Sequence, residues 1–451
     1  MQCKQLVGKT WGIKPKYMKW IYTAMIRPIL SYACVSWIGG IDKLYLVKYL
    51  QKVQRLACLM ITSAFPSTPL GAMEVLMNIE PIDEFIRAEA VRGSFRVDQA
   101  GLWIAKPVGS SGKTKSHVDV CNSARVELPL LCMPTDRIHK KRTFEKKFEC
   151  LIHDRKGAIE YEKNLDNTIK TFTDGSKMNE LVGAGFRIEY PNNMVYEKSL
   201  FLGKHSTVFQ AEVFAISEVA EELLETGIHN ERIAILSDSQ AAIKAIDKAV
   251  VQSRTVQQCI TNLNKLGEHN RISVAWTPGH TGVQGNEEAD RLAKLGSELG
   301  TQGPEPILPV PYASCVQEIR DWTCKRWKTT WINRGDCRRT KEVVSWVTPS
   351  LTVKLLSLSR SQLHLIMQIL TGHCNLQKHK RTTGRAAESC CPKCGKEDET
   401  PDHHIGQCVS YQNIRKECFG NITVSLKTVM ANKNLKTLAK YLKKAGRLSE
   451  Y

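Results

Sequence analysis

Four carboxylates and one histidine stand in the middle of the 451-residue chain, in short motifs of small and polar residues: Asp174, Glu212, Asp238, His280 and Asp290. Clustered carboxylate oxygens suit Mg²⁺ or Mn²⁺. Two such ions, roughly 3.5–4 Å apart, can activate a water and stabilise the leaving oxygen of a phosphodiester. A histidine on a glycine-rich loop can move a proton near neutral pH. The five residues therefore predict metal-dependent hydrolysis of a phosphodiester.

The segments around these residues predict a mixed sheet flanked by helices. β-branched and aromatic runs indicate strands, and apolar residues at spacings of three and four indicate helices. Predicted strands cover 168–173, 182–190, 194–202, 232–236 and 272–276, and predicted helices cover 207–225, 241–249 and 287–295. The carboxylates then fall at strand ends or on helices beside the sheet, where sites gather in α/β folds.

Residues 168–297 resemble the type 1 ribonuclease H domain, and we expect that domain to span 166–299. The resemblance rests on five motifs, which are Thr-Asp-Gly-Ser, a helical Glu, Ser-Asp-Ser, Trp-Thr-Pro-Gly-His and Asn-Glu-Glu-Ala-Asp. It implies an α/β ribonuclease H-like fold and, as substrate, the RNA strand of an RNA–DNA hybrid. A nuclease of this class separates RNA from DNA through the 2′-hydroxyl.

The resemblance also implies a role for each site residue. Asp174 would bridge two Mg²⁺ or Mn²⁺ ions, Glu212 and Asp238 would complete the shell of one, and Asp290 that of the other. His280 would assist proton transfer and product release. Many members of the family grip the hybrid with a basic, tryptophan-containing protrusion. Residues 248–265 contain no tryptophan and few charges, so we expect the grip to come from elsewhere.

Residues 1–100 predict a helical region with basic outer faces. Met25 to Tyr32, followed by Trp37, and the Val-Gln-Arg-Leu run ending at Leu56, followed by the turn Ser67-Thr-Pro69, resemble the thumb or connection of non-LTR retrotransposon reverse transcriptases. The Asp-Asp motif of the polymerase is absent from the 451 residues. The resemblance implies a C-terminal fragment of such a polyprotein, without polymerase chemistry.

A basic, tryptophan-containing helical region is predicted at 313–380, after a proline- and glycine-containing linker at 300–312. A second linker is predicted at 101–165. Basic residues interleaved with aromatics suit stacking on bases together with phosphate contact. The candidate nucleic-acid contacts are Trp322, Lys325, Arg326, Trp327, Arg338 and Arg339. An amphipathic helix with buried tryptophans explains the pattern equally well, and single-stranded nucleic acid is a second candidate partner.

Three cysteines and a histidine near the C-terminus have the spacing of a zinc site. They are Cys391, Cys394, His403 and Cys408, in the pattern C-x₂-C-x₈-H-x₄-C. Three thiolates and one imidazole make a closed tetrahedral shell, which is structural rather than catalytic. We predict one structural Zn²⁺ in a knuckle at 381–420. The same spacing, preceded by Leu-Thr-Gly-His ending at His373, resembles the tail of these retrotransposon proteins, and a basic helix at 421–451 follows.

The composition is that of a globular protein with a polyanionic partner. The formal net charge is +19 and the chain holds 16 cysteines. A strongly basic balance suits nucleic acid. Scattered cysteines without a secretory signal peptide favour reduced thiols in a reducing compartment. No run of 18 apolar residues occurs, so we expect an intracellular protein, in the cytoplasm or nucleus, without a membrane span.

The sequence thus predicts a two-metal endonuclease for RNA–DNA hybrids that is part of a retrotransposon polyprotein. The alternative from another functional class is a catalytically silent nucleic-acid-binding remnant. A third interpretation is a DNA-directed or integrase-like nuclease of the same superfamily. The Trp276 to His280 loop and the motif ending at Asp290 argue against that third interpretation.

Overall fold

The computed structural model describes residues 7–8, 10–102, 117–279, 282–300, 304–431 and 434–448. The chain divides into two compact units. The helical unit comprises residues 1–94, 106–120 and 320–451, and the sheet unit comprises residues 95–105 and 121–319. Each unit is therefore not one continuous stretch of sequence. The helical unit combines residues from the N-terminal and the C-terminal parts of the chain.

The strands all lie within the sheet unit. They are β1 (Arg137–Thr143), β2 (Glu149–Leu151), β3 (Ile169–Met178), β4 (Leu181–Glu189), β5 (Val195–Gly203), β6 (Arg232–Ser237), β7 (Val250–Ser253) and β8 (Arg271–Trp276). Six of them form one sheet in the order β2-β8-β6-β3-β4-β5, and β1 pairs with β7. Strands β3, β4 and β5 are antiparallel neighbours, whereas β3, β6, β8 and β2 run parallel. The predicted mixed sheet is confirmed.

Helices precede, interrupt and follow the sheet. The first seven are α1 (Pro15–Ile21), α2 (Arg27–Leu30), α3 (Cys34–Trp37), α4 (Leu44–Thr62), α5 (Leu70–Met77), α6 (Ile82–Gln99) and α7 (His117–Glu127). Those among and directly after the strands are α8 (Arg155–Lys163), α9 (Val208–Glu225), α10 (Gln240–Asp247), α11 (Arg254–Leu266) and α12 (Gln284–Glu298). The last are α13 (Tyr312–Asn333), α14 (Arg338–Val343), α15 (Pro349–Leu356), α16 (Arg360–Thr371), α17 (Gln377–Thr382), α18 (Gln412–Phe419), α19 (Leu426–Ala431) and α20 (Leu435–Ala445).

The stretch 101–165 differs from the predicted linker. Its described part contains α7, β1, β2 and α8, and β2 is the edge strand of the main sheet. Strand β2 is only three residues long, which is too short for an alternation of polar and apolar residues to predict it. Its place is set by parallel pairing with β8, in which Cys150 lies opposite Val274. Such a distant partner cannot be read from a local pattern.

Among the described residues of the helical unit, a large hydrophobic core has contributions from both terminal parts of the chain. Met18, Cys58 and Met73 come from the predicted N-terminal helical region, and Trp331 and Leu442 come from beyond residue 312; all five are buried. Apolar burial of this kind stabilises by roughly 25 cal/mol per Å² removed from water. The segments predicted as separate regions therefore depend on one another for stability.

No single helix in the described part of the chain is long and apolar enough to cross a membrane. One bent pair, Pro15–Leu30 with Cys34–Asp42, meets the length and composition test when its two arms are taken together.

Candidate active site

Asp174 and Asp238 lie side by side because their strands are parallel neighbours. The pairing of β3 with β6 ends at Thr173 opposite Ser237, and the two aspartates are the next residues. We predicted that the strand carrying Asp174 ends near that residue, but β3 continues to Met178. Its antiparallel partner β4 supports the extension, with Asp174 opposite Gly185. Asp174 therefore stands on a fixed strand rather than on a loop.

Glu212 reaches the same place from helix α9. The helix begins after Thr207 with a capping box, in which Thr207 and Gln210 satisfy each other's backbone N–H groups. A Cβ atom on Gly175 would lie 2.8 Å from both the Ala211 Cβ and the Glu212 backbone nitrogen, so only glycine permits this approach of α9 to β3. The Gly175 N–H donates to the Glu212 carboxylate. The Asp-Gly pair of the motif thus positions two carboxylates. Strand β3 holds that of Asp174, and the absence of a side chain at Gly175 lets α9 bring that of Glu212 close.

The carboxylates of Asp174, Glu212 and Asp238 converge, with one oxygen from each lying within 4.8 Å of the others. Asp174 is 7% exposed and Glu212 is 5% exposed. Burial, together with the Asp238 carboxylate, raises the pKa of Asp174 to about 7. Burial, together with Asp174 and Asp238, raises the pKa of Glu212 to about 9. A divalent cation with oxygen ligands would remove this repulsion, so the donor set fits Mg²⁺ or Mn²⁺.

Asp290 is brought to the cluster by close packing of α12 on β4. A Cβ atom on Gly185 would lie 2.3 Å from the Ala293 backbone nitrogen, and one on Gly183 would lie 2.2 Å from the Ser297 nitrogen. The glycines therefore let the helix backbone rest directly on the strand. Asp290 lies near Asp174 and contributes to the raised pKa of that residue, and it accepts a 2.6 Å hydrogen bond from the Lys294 ammonium. The four predicted carboxylates are thus neighbours in the structure.

Replacing Gly185 with Ala should impair the site through the backbone. The added methyl group overlaps Ala293, so α12 must move away from β4 and carry Asp290 with it. Overpacking costs about 1–3 kcal/mol, and a displacement of about 1 Å at a reacting group can cost roughly 10²-fold in rate. We expect cleavage of a hybrid to slow by ~10- to 100-fold. Gly335→Ala, where nothing lies within 4 Å of the new atom, is the matched control and should retain the normal rate.

The last residue of β8 and the loop that follows it support Asp238. The Trp276 indole N–H donates a 3.0 Å hydrogen bond to the Asp238 carbonyl oxygen, which fixes the backbone of the aspartate. A Cβ atom on Gly279 would lie 2.6 Å from the Asp238 carboxylate. His280, the next residue, lies outside the described residues. Trp276 and Gly279 were in the predicted motif without a role, and both now act as positioning residues.

The crowded carboxylates make the metal-free protein sensitive to pH. The ordinary pKa values of Asp174 and Glu212 are 3.8 and 4.5, and folding raises them to about 7 and about 9. A carboxyl group whose pKa is raised by folding stabilises the protein fully below about pH 4, and this stabilisation is lost as the pH rises through the folded values. We expect the metal-free Tm to fall by about 5–10 °C between pH 5 and pH 9, and Mg²⁺ to reverse the fall. Calorimetry checks this. Glu212→Gln should flatten the dependence, and an identical profile for that variant would contradict the assignment.

A second cluster of ligand atoms lies in the helical unit. One ligand atom each of Cys391, Cys394, His403 and Cys408 lies within 4.8 Å of the others. Sulfur atoms of Cys391 and Cys408 are 3.9 Å apart, and the Cys394 sulfur is 3.3 Å from His403 Nε2. A tight turn, in which the Gly395 N–H donates to the Cys391 carbonyl oxygen, brings the first two cysteines together. The predicted four residues are the ones that converge.

Glu397 completes this cluster and was not anticipated from the sequence. Its carboxylate lies 2.9 Å from His403 Nδ1, which leaves Nε2 facing the thiols. Carboxylates commonly orient a metal-bound histidine in this way. The neighbouring His404 does not join the cluster; it is buried and packs against Tyr411 and Tyr441. The motif spacing alone could not separate the two adjacent histidines.

The predicted nucleic-acid contacts after residue 320 divide into buried and exposed groups. Trp327 is 4% exposed and packs in the core, as the alternative of an amphipathic helix with buried tryptophans predicts. Arg326 forms an ion pair with Glu84, and Arg339 forms one with Asp402. Trp322 is half-buried, whereas the side chains of Lys325 and Arg338 are exposed. Stacking of a base on Trp327 is therefore incompatible with the structure.

Known proteins resemble the part of the chain that holds the four carboxylates. A family model described as RNase H matches residues 166–298. A ribonuclease H of Nitrosospira multiformis is 29% identical over 150 residues, which is 31% of this chain and 95% of that protein.

Two solved structures cover the same share of the chain. RNase H1 of Halobacterium salinarum is 20% identical, with a TM-score of 0.24, over 29% of this chain and 98% of its own. The N-terminal RNase H domain of a Mycobacterium tuberculosis protein, solved as a fusion with maltose-binding protein, is 20% identical, with a TM-score of 0.25 and the same coverages. The family model and the bacterial relative support an RNase H domain at residues 166–298 of this chain.

Proposed function

We propose that the domain at 166–298 is a two-metal endonuclease that hydrolyses the RNA strand of RNA–DNA hybrids. The observation that carries the proposal is the convergence of the Asp174, Glu212 and Asp238 carboxylates, the first two of them buried, with Asp290 close to Asp174. Crowded carboxylates in a largely buried cluster repel one another, and a bound divalent cation would remove that cost. The family match supports hybrid hydrolysis, and the intact carboxylate set does not favour the catalytically silent alternative.

In this proposal the four carboxylates would hold two divalent cations, which would supply an activated water and stabilise the leaving oxygen. Asp174 has Glu212 and Asp238 as neighbours within the three-carboxylate cluster and Asp290 close by, which suits a shared ligand. The chain keeps these oxygens in place through the contacts described above. The Gly175 N–H holds Glu212, the Trp276 indole fixes the backbone at Asp238, and Lys294 restrains Asp290.

We propose that His280, which lies outside the described residues, moves a proton during hydrolysis. The supporting observation is the position of Gly279, whose missing side chain allows the loop to touch the Asp238 carboxylate. General acid–base assistance is worth about 10²–10⁴-fold, and water can substitute in part. The role of His280 is therefore to accelerate a step that the carboxylates make possible.

A panel of labelled duplexes tests the substrate assignment. With Mg²⁺ present, the RNA strand of a hybrid should be cut, while single-stranded RNA and double-stranded DNA should remain intact, because the 2′-hydroxyl and the duplex shape are read together. Cleavage of double-stranded DNA at the same rate as the hybrid would contradict the substrate assignment and favour a DNA-directed nuclease.

We propose a structural Zn²⁺ for the second cluster, held by Cys391, Cys394, His403 and Cys408. Support comes from the convergence of the four ligand atoms and from Glu397, which orients His403. Three sulfurs and one nitrogen fill a tetrahedral shell and leave no position for a reacting water. The site would therefore contribute to folding rather than to hydrolysis.

The wider context is also a proposal. We infer that the chain is part of a non-LTR retrotransposon polyprotein, because the Met25 to Tyr32 stretch and the cysteine–histidine spacing after His373 resemble such proteins. Of the predicted nucleic-acid contacts, we retain Lys325 and Arg338, whose side chains are exposed. They would contact phosphates rather than bases.

A further inference from the structure

Two motifs singled out in the sequence, the Ser67-Thr-Pro69 turn and the Leu-Thr-Gly-His run ending at His373, meet within the helical unit. The Nδ1 atom of His373 lies 3.1 Å from the Ser67 hydroxyl oxygen. His379 on α17 approaches the same oxygen, with its Nε2 atom at 3.5 Å. The two imidazole rings form an edge-to-face pair with centroids 4.8 Å apart. The hydroxyl and two ring nitrogens thus face one point on a partly exposed surface.

Guanidinium groups act on both imidazoles. Arg55 donates from Nη2 to the Pro66 carbonyl oxygen, which places its guanidinium against the turn that carries Ser67. Burial and Arg55 lower the pKa of His373. Burial, His373 and Arg385 lower the pKa of His379 to about 4. Such surroundings suit an anion, since a negative charge would relieve the mutual repulsion of these groups.

We propose that Ser67, His373 and His379 bind a phosphate group of a nucleic-acid backbone, with Arg55 beside them. Hydroxyl and imidazole N–H groups donate hydrogen bonds to phosphate oxygens, and the Arg55 guanidinium adds charge. A metal ion is a poorer occupant of the same nitrogens, because two guanidinium groups act on them. The site lies in the helical unit and goes beyond the proposed hydrolysis, which concerns the other unit.

The solvent face of α4 indicates a single strand as the partner. Tyr45 is 58% exposed and Tyr49 is 63% exposed, one helical turn apart. The Lys52 ammonium lies 4.9 Å from the centre of the Tyr49 ring, and Arg55 follows on the same helix. No acidic residue occurs in α4. Exposed aromatics interleaved with lysines suit stacked, unpaired bases whose backbone follows the cations.

The test compares two histidine pairs by fluorescence anisotropy of a labelled single-stranded oligonucleotide. All variants carry Asp174→Asn, so that binding is measured without cleavage and independently of the nuclease proposal. His373→Ala with His379→Ala should weaken binding at pH 6 by ~10-fold, because the variant cannot donate the imidazole hydrogen bonds that hold the phosphate beside Arg55. The slope of log affinity against log salt should fall by about 0.7, because that phosphate is then no longer neutralised by Arg55. His229→Ala with His269→Ala removes another edge-to-face pair, with centroids 4.9 Å apart, and should change little.

Inorganic phosphate, added at constant ionic strength against chloride, separates the two sources of the anion. It should compete with the oligonucleotide in the parent chain and lose that effect in the His373 and His379 variant. His373→Gln with His379→Gln repeats the experiment with side chains that keep polarity, should the alanine variant unfold. Unchanged oligonucleotide affinity in both variants, or an equal loss in the control pair, overturns the proposal. Loss of phosphate competition with normal oligonucleotide affinity overturns the nucleic-acid assignment.

Discussion

Replacing Asp174 with Asn should reduce cleavage of the RNA strand of a hybrid by at least ~10³-fold, because divalent cations held by this carboxylate supply several kcal/mol of transition-state stabilisation. The Asp174 carboxylate converges with those of Glu212 and Asp238, and Asp290 also acts on it, so its charge affects all three neighbours. The fold should survive, since β3 is held by pairing on both sides. Removing one of the crowded charges should also raise the metal-free Tm.

Single-turnover kinetics with saturating protein measure the loss, and calorimetry measures stability. Asp247→Asn is the matched control, because that aspartate pairs with Lys146 at the surface and is 61% exposed as a side chain. A surface ion pair is worth about 0–1 kcal/mol, so the control should retain normal rate and stability. Near-normal turnover by Asp174→Asn would mean that the cluster is not the catalytic centre.

Removing zinc should unfold a large part of the helical unit while hydrolysis continues. Binding of a structural Zn²⁺ contributes about 10–16 kcal/mol in isolated zinc-finger peptides, which rivals the whole stability of a typical domain. Cys391 and Cys408 are buried in the core that Met18 and Met73 share, so the loss should spread beyond the tail. We expect Cys394→Ser to lose the metal and to lower the Tm of the unit by more than ~10 °C.

Metal analysis of the full chain and hydrogen exchange along residues 390–448 check this expectation. Cys390→Ser is the control, because Cys390 is adjacent in sequence but is not among the four converging ligands. It should retain one zinc per chain and normal protection. Stoichiometric zinc in Cys394→Ser, or a chain without zinc and with unchanged protection, would refute the site.

The carboxylate cluster could be predicted because each residue stands beside a strong local signal. Asp174 and Asp238 follow β-branched runs, and parallel pairing of those runs places the next residues together. Glu212 falls on the buried face of a helix whose apolar spacing and capping box are both local features. The four zinc ligands could be predicted equally well, because they lie close together in sequence. One turn and one short helical segment are enough to bring them together.

Other features depend on contacts that no local pattern encodes. Strand β2 is too short to show alternation and is defined by its distant partner β8. The tryptophans of α13 have the pattern of a stacking surface, yet Trp327 is buried because its partners lie in segments far away in sequence. Nothing in the sequence distinguishes Glu397 from the charged residues around it, and only the structure shows that it contacts His403. Residue type and spacing indicate which roles a side chain can have, such as stacking on a base or packing in a core. Whether the side chain is buried in the folded chain determines which of these roles it has.

If the converging carboxylates make this chain a metal-dependent nuclease for hybrids, cleavage must depend on a divalent cation. We would measure cleavage of a hybrid labelled on its RNA strand, by the purified full chain, as Mg²⁺ is titrated from zero. We expect no cleavage without added divalent cation, a rise to full RNA-strand cleavage with Mg²⁺, and an intact DNA strand throughout. Cleavage of the RNA at the full rate without any divalent cation would contradict this expectation.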